Sequence, residues 1–330
     1  MRLKVIQEAK ATLSRAVQVF STTDISSRIV EQCALIPREP FKRKIMRAVA
    51  QSALRVQQPT IRKRHGVALD LSHDLLCIED RFANDASLAV LLRRLRSETV
   101  AAVLVPGCFL ASEDVQFWLR RGIKRVSGFD VYSLQRRWDS ILPQLRRHFG
   151  AEIEFRQGSI ESIPFPSGSF DLITTNAVLE HVRNLAAMVD ETARVLRSGG
   201  WAWHCFGPLY YSFGADHCIA AYGDAAGYDH LLLDDEEYQQ RIRNQEFFDT
   251  QPNPNLPFWA LNRQFSFATA AEYLDHFSRR FHLEHVVIKL SAKGLAYRQN
   301  FSQKWAQLLG AGIAERDLLI KSLAVVLRKK

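Results

Sequence analysis

The chain has 330 residues, of which 47% are hydrophobic and 24% are charged, and its formal net charge is +9. This composition is typical of a globular protein with one large domain or two ordinary ones, and it excludes disordered, collagen-like and coiled-coil architectures. The five cysteines are odd in number and widely spaced, which argues against a disulfide framework and favours a reducing compartment.

The N-terminal segment carries charged or polar side chains every few positions and lacks the apolar core of a signal peptide. No apolar run approaches the roughly 18 to 20 residues that a bilayer-spanning helix needs. We therefore expect a cytoplasmic protein without an integral membrane segment.

The positive charge is concentrated near the N-terminus, because residues 1–66 hold 14 of the 44 basic side chains and only four acidic ones. The densest clusters are 42–47 and 62–64. Such clusters can bind an anionic surface or a phosphate-bearing partner. They can equally be the solvated sides of helices, since apolar residues recur every three or four positions between Leu3 and Phe20. The pattern alone leaves both interpretations open.

Residues 1–95 are predicted to form a basic, mostly helical N-terminal region that ends in a helix with one apolar face. From about residue 100, short apolar runs alternate with helical patterns, and two further strands are predicted near the C-terminus. The predicted strands are 101–105, 125–130, 151–157, 171–176, 201–206, 282–290 and 322–329. This alternation predicts an α/β fold for residues 96–330, with a doubly wound, mostly parallel seven-stranded sheet.

Residues 207–280 interrupt this alternation. The segment is rich in aromatic residues, contains three prolines at 252, 254 and 257, and carries an acidic patch at 234–237. It is too long for a plain connection, and long insertions at the carboxyl edge of a sheet commonly hold substrates. We therefore predict that it forms a substrate cap.

Two residues at predicted strand ends indicate a nucleotide-type ligand. Gly107 follows the first strand of the sheet and permits a tight turn, and Asp130 ends the second strand 23 residues later. Nucleotide-binding folds place a ribose-binding carboxylate at about this interval. The alternative is a turn glycine and a helix-capping aspartate.

The most specific motif extends from Gly158 to Phe206. It contains Ile-Pro-Phe at 163–165, Phe-Asp at 170–171, Leu-Glu-His-Val at 179–182, and Arg-Val-Leu followed by Gly-Gly at 194–200. With the preceding strands, this pattern resembles the class I S-adenosylmethionine-dependent methyltransferases of the type 11-like group. The resemblance covers roughly residues 100–206 and implies a Rossmann-like methyltransferase fold with S-adenosylmethionine as cofactor.

The resemblance also implies roles for individual residues around the methionine, ribose, adenine and methyl parts of the cofactor. The implied contacts are Gly107 and Cys108 at the methionine part, Asp130 at the ribose, Ser159 and Ile160 at the adenine, and Asn176 beside the methyl group. The chain departs from the family where Phe109 and Ala111 replace small loop residues, and where Ser159 replaces an acidic residue. These departures motivate an alternative, a non-catalytic methyltransferase-like binding module that uses the basic N-terminal region.

Methyl transfer to an oxygen needs a proton acceptor in addition to the cofactor. We select His217 as the general base and His181 as a second catalytic candidate, with Tyr210, Tyr211 and His204 as acceptor contacts. Other interpretations are a structural His181 and a His204 that lies inside a strand. The neighbouring cysteines lack zinc-motif spacing, so no metal site is expected.

The predicted function is a methyltransferase that acts on a small molecule, at an oxygen of a sugar, a glycan precursor or another secondary metabolite. A nicotinamide-dependent oxidoreductase is a third alternative on the same type of sheet. The missing G-x-G-x-x-G after the first strand of the sheet argues against it.

Overall fold

The computed structural model describes residues 31–35, 86–109, 113–132, 134–217, 223–243 and 263–330. The basic clusters at 42–47 and 62–64, and the helix predicted at the N-terminus, lie outside the described residues, as does Ala111.

Eight strands form one sheet in the described part of the chain. They are β1 (Glu31–Leu35), β2 (Ala102–Pro106), β3 (Arg125–Asp130), β4 (Glu152–Gln157), β5 (Phe170–Asn176), β6 (Leu196–Phe206), β7 (Phe281–Leu290) and β8 (Ile320–Lys329). Strands β2 to β8 confirm the seven strands predicted from the sequence. The eighth strand, β1, was not predicted, and it adds to the sheet next to β7.

The strand order across the sheet is β1-β7-β8-β6-β5-β2-β3-β4. All neighbouring strands are parallel except at β8, which runs antiparallel to both β6 and β7. The predicted mostly parallel, doubly wound sheet is therefore confirmed. The order reverses between β5 and β2, and ligands in such folds bind beyond the carboxyl ends of the strands at this point.

Helices cover both faces of the sheet. On one face lie α1 (Ala86–Leu95), α2 (Glu113–Arg120) and α3 (Gln135–Phe149), and on the other lie α4 (Leu185–Val195) and α7 (Ala270–Arg280). The remaining helices are α5 (Asp229–Leu232), α6 (Asp235–Arg243), α8 (Ala292–Asn300), α9 (Ser302–Gly310) and α10 (Glu315–Leu319). Each face buries its own apolar cluster, as expected for a sheet between two helical layers.

Helix α7 falls within the predicted cap, yet it packs against α4, β7 and β8 as a layer helix. Its N-terminus has a capping box, in which Thr269 and Glu272 satisfy each other's backbone N–H groups. Tyr273, Leu274 and Phe277 are fully buried on its inner face. The described cap residues that lie outside this layer are therefore 207–217, 223–243 and 263–269.

No helix in the described ranges is both long and apolar enough to cross a membrane.

Candidate active site

The glycine loop after β2 contacts the segment after β5, so the two strands that flank the order reversal meet at the carboxyl edge. Gly107 has φ +71°, and a Cβ atom built there would lie 2.5 Å from Cγ2 of Val178. An L-amino acid with a side chain is disfavoured at this position both by conformation and by space. The next residue, Cys108, is buried against Gly128 of β3. Burial, together with the charge of Asp130, raises the pKa of the Cys108 thiol.

Phe109 takes a conformation that usually belongs to glycine, with φ +42°. Two hydrogen bonds hold it there. Its N–H donates to Oδ2 of Asp130 at 3.0 Å, and its carbonyl accepts from the indole N–H of Trp138 at 2.6 Å. Phe109 is 38% exposed, so its ring is not enclosed within the loop. The loop thus accommodates the larger side chain by directing it partly to solvent.

Asp130 lies at the end of β3, beside the glycine loop, as the spacing predicted. Its two carboxylate oxygens accept the N–H groups of Phe109 and Tyr132. Burial raises its pKa, and these backbone donors act in the opposite direction. Because each carboxylate oxygen has two lone pairs, both oxygens keep the capacity to accept a further hydroxyl proton. The neighbouring Val131 is 59% exposed and offers an apolar surface at the same edge.

The loop after β4 lies next to Asp130, because the N–H of Gly158 donates to the Asp130 carbonyl at 2.9 Å. Ser159 is half-buried, and its hydroxyl accepts the N–H of Glu161 at 3.1 Å. Ile160 is buried in the core. The structure therefore brings Ser159 and Ile160 near Asp130, while the Ser159 hydroxyl already stabilises its own turn.

Asn176 is half-buried at the end of β5, opposite Cys205 of β6. The following residue, Ala177, has φ +54° and donates its N–H to the Cys205 carbonyl. This turn presents Val178 to the glycine loop, and it places Asn176 at the reversal of strand order.

Glu180 is a buried carboxyl group in the wall of this edge, with 2% of its surface exposed. Neither carboxyl oxygen makes a hydrogen bond of good geometry, although the backbone N–H groups of Glu180 and Gly207 lie close enough to act on the carboxyl group. The backbone carbonyl of Glu180 accepts the N–H of Ser266 at 2.8 Å. Burial raises its pKa to about 8, against the opposing effect of its own N–H and that of Gly207. Glu180 is therefore largely protonated at neutral pH.

The two histidines predicted as catalytic lie together, with ring centroids 5.3 Å apart. Nδ1 of His181 lies 2.7 Å from the carbonyl oxygen of Gln264. Since a carbonyl only accepts, Nδ1 carries the proton, and Nε2 of the neutral ring has the lone pair. Burial lowers the pKa of His181. The pKa of His217 is lowered to about 3, first by burial and then by the nearby His181 and Lys321. Both rings are thus predominantly neutral at pH 7.

An aromatic cluster surrounds this pair. Phe265 stacks on His217 with a centroid distance of 6.3 Å, and Tyr210 lies 5.7 Å from Phe265. The Tyr210 hydroxyl accepts a long hydrogen bond of 3.4 Å from Arg263. Tyr211 packs edge-on against Tyr210 and is half-buried. Tyr210 and Tyr211 therefore lie near the histidine pair, as the sequence predicted.

His204 lies apart from this cluster, in the interior of the sheet. It is fully buried, hydrogen-bonds Thr175 through Nδ1 at 2.8 Å, and stacks on Phe277 of α7 at 5.6 Å. Burial lowers its pKa to about 3. This position favours the structural interpretation of His204, so we leave it out of the proposed acceptor site.

Comparison with known proteins agrees with the geometry of this edge. A family model described as a methyltransferase domain matches residues 104–204, which contain the glycine loop, Asp130 and the segment through His204. This segment is a methyltransferase domain.

Two curated relatives resemble parts of the methyltransferase domain. One is an uncharacterized methyltransferase, YcgJ, of Bacillus subtilis, 44% identical over 48 residues, or 14% of this chain and 19% of the relative. The other is the malonyl-[acyl-carrier protein] O-methyltransferase of Enterobacter lignolyticus, 31% identical over 114 residues, or 34% of this chain and 42% of the relative. The chain therefore spans less than half the length of either curated relative.

Among solved structures, an S-adenosylmethionine-dependent methyltransferase from Mesorhizobium loti shares 19% identity with this chain. The match has a TM-score of 0.43 and covers 75% of this chain and 99% of the other.

The residues of the methyltransferase domain fit an S-adenosylmethionine molecule. Asp130 retains acceptor capacity for a ribose diol, and Val131 is an exposed apolar neighbour. No group of three or more His, Cys, Asp or Glu suited to a metal occurs among the residues that the structure describes.

One residue of this edge escaped the sequence analysis. Lys321 lies near His217 at the start of β8. A lysine at the start of an apolar strand is a weak signal. It gains meaning only once the antiparallel direction of β8 is known, because this direction brings the start of β8 to the carboxyl edge.

Proposed function

We propose that the protein is an S-adenosylmethionine-dependent methyltransferase that acts on an oxygen of a small molecule. The observation that carries this proposal is the position of Gly107 and Asp130, which lie together at the reversal of strand order inside a methyltransferase domain. Ligand contacts through Cys108, Ser159, Ile160 and Asn176 are part of the same proposal.

The cofactor supplies an electrophilic methyl group on a sulfonium, so the protein chiefly binds and orients. Asp130 would accept hydrogen bonds from the ribose hydroxyls, and the backbone at Gly107 would lie beside the ligand. The exposed side chains of Phe109 and Val131 would shield the ligand from water. Hydrogen bonds from Phe109 to Asp130 and from Trp138 to Phe109 fix this part of the loop.

His217 accepts the proton that an oxygen nucleophile releases, and His181 is the second candidate for this role. Both are predominantly neutral at pH 7, as a general base must be. Tyr210 and Tyr211 contact the acceptor. The acceptor class is a sugar, a glycan precursor or another secondary metabolite. The name of the relative from Enterobacter lignolyticus, an O-methyltransferase, supports oxygen as the accepting atom.

Calorimetric titration of the full chain with S-adenosylmethionine, S-adenosylhomocysteine and NADPH tests the proposal against its alternatives. Binding of the first two without NADPH is the expected result. Binding of NADPH alone would favour the oxidoreductase, and absence of binding for all three would favour the non-catalytic module. An anionic partner of the N-terminal region and a cytoplasmic location stay predictions.

The role of His217 has its own test. We expect His217→Ala to lower turnover on an oxygen acceptor with little change in affinity for S-adenosylhomocysteine. Since the pKa of His217 is lowered to about 3, its protonation does not reduce kcat/KM between pH 8 and pH 5. Turnover equal to that of the unchanged protein would remove His217 from the role.

A further inference from the structure

Lys321 forms a bulge at the carboxyl edge of the sheet. Strand β7 pairs Lys289 with Ser322 and Leu290 with Ile320, so Lys321 has no partner on β7. Its carbonyl instead accepts the N–H of Leu209, in the loop after β6, at 2.7 Å. Bulges often redirect a side chain beside an active site. The bulge thus joins Lys321 to the loop that leads to Tyr210 and His217.

The Lys321 ammonium lies in the electrostatic surroundings of His217. Lys321 is half-buried, and its charge is one of the causes that lower the pKa of His217, after burial and His181. The pKa of Lys321 is itself lowered, first by burial and then by the charge of Lys293. The site therefore combines a partly desolvated cation with a second cation nearby.

Lys321 lacks the counter-charge or carbonyl acceptor that Lys293, Lys304 and Lys329 have. Lys293 pairs with Asp224 at 2.8 Å, Lys304 with Asp229 at 3.3 Å, and Lys329 donates to the Leu196 carbonyl at 2.7 Å. Within the described ranges, no hydrogen bond or ion pair involves the Lys321 ammonium. Partial burial of a cation is unfavourable without a compensating anion or acceptor.

We propose that the methyl acceptor carries an anionic group, a carboxylate or a phosphate, that pairs with Nζ of Lys321. This inference rests on the proposed function, because it assigns the acceptor to the surroundings of His217 and His181. The rings of Phe265 and Tyr210 near these histidines suit an apolar or aromatic body attached to the anionic group. Lys321 is then a specificity-determining residue.

Three probes of the same shape test this pairing, namely benzoate, phenyl phosphate and the neutral benzamide. Each is titrated calorimetrically into the full chain, with and without S-adenosylhomocysteine. We expect at least one anion to bind about tenfold or more tightly than benzamide. Binding of benzoate alone identifies a carboxylate, and binding of phenyl phosphate alone identifies a phosphate.

The variants separate Lys321 from general charge effects. Lys321→Met should weaken binding of the anion about tenfold or more, and Lys321→Arg should largely retain it. The control, Lys329→Met, removes the same charge from the same strand, eight residues and about 26 Å further on, and should bind the anion normally.

Several results would overturn the inference. They are equal affinity for benzamide and the anions, no anion binding to the unchanged protein at millimolar concentration, or unchanged anion binding by a folded Lys321→Met. The relative affinities of the unchanged protein for the anions and for benzamide test the inference even if Lys321→Met does not fold. Failure of S-adenosylhomocysteine to bind would instead contradict the proposed function, and the two failures are read from separate titrations.

Discussion

Gly107 meets two separate restrictions, one on its backbone and one on the space beside it. Its φ of +71° disfavours a side chain, and Cγ2 of Val178 would lie 2.5 Å from an added Cβ. Gly150 at the end of α3 has the first restriction alone, with φ +57° and no atom within 4 Å of a built Cβ. The pair therefore separates backbone strain from steric exclusion at the loop.

We expect Gly150→Ala to lower the free energy of unfolding by about 1 to 2 kcal/mol and to leave affinity for S-adenosylhomocysteine unchanged. Gly107→Ala should be more destabilising and should weaken that affinity about tenfold or more, because the loop must shift. Adding Val178→Ala to Gly107→Ala should recover part of the stability. Urea unfolding and calorimetry measure both quantities, and identical behaviour of the two alanine variants would contradict the steric argument.

Glu180 makes stability depend on pH. Its folded-state pKa is raised to about 8 from 4.5, so the native state holds more protons than the unfolded state between these values. The free energy of unfolding therefore falls as pH rises through this window, by up to about 5 kcal/mol at about 1.4 kcal/mol per pKa unit. Below pH 4.5 this destabilising contribution is absent.

Glu180→Gln should remove this dependence, since the amide does not ionise. Measured by urea unfolding, the stability of Glu180→Gln relative to the unchanged protein should rise between pH 5 and pH 8.5. The control is Glu236→Gln, at an exposed position on α6, which should show no such trend. A stability difference for Glu180→Gln that is the same at both pH values would contradict burial as the cause of the raised pKa.

The strands β2 to β8 were predictable because each contains an apolar or alternating run between turn or helical patterns, and such patterns depend on local sequence. Strand β1 was not predicted, since its five residues, EQCAL, include two polar ones and pair in parallel with β7, some 250 residues away. Helix α7 was missed as a layer helix because the aromatic residues around it suggested an insertion. Both the pairing of β1 and the packing of α7 depend on contacts between segments that are distant in the sequence.

Helix α1 packs on the sheet through a buried hydrogen bond. The indole N–H of Trp203 in β6 donates to the Ser87 hydroxyl at 2.8 Å, and both residues are almost fully buried. Residues 86–95 therefore pack with the methyltransferase domain, although the sequence analysis assigned them to the N-terminal region.

Ser87→Ala removes this acceptor from a buried donor, so it should lower the free energy of unfolding by about 1 to 3 kcal/mol. The matched control is Ser97→Ala, where the exposed hydroxyl donates to the Arg94 carbonyl at 3.3 Å and the change should stay within about 0.5 kcal/mol. Chemical denaturation of the full chain provides the measurement. Equal effects from the two substitutions would show that the bond between α1 and β6 contributes little.

At the scale of the whole molecule, the sequence located most of the candidate site but not its charge balance. Gly107, Asp130 and His181 follow strands, so topology alone brings them to one edge. His217 was chosen for its place after β6, and the structure puts it beside His181. Lys321 could not be chosen, because its position depends on an antiparallel strand and a bulge that only pairing with β7 reveals.

The central claim is that Asp130 and the glycine loop bind S-adenosylmethionine at the reversal of strand order. Calorimetric titration of S-adenosylhomocysteine into three proteins tests it most directly. These are the unchanged chain, Asp130→Asn, and a control, Asp190→Asn. Asp190 lies on α4, where its exposed carboxylate pairs with Arg280 of α7. We predict binding to the unchanged chain and the control, with affinity about tenfold or more weaker in a folded Asp130→Asn. Equal affinity in all three proteins, or no binding to the unchanged chain, would contradict the claim.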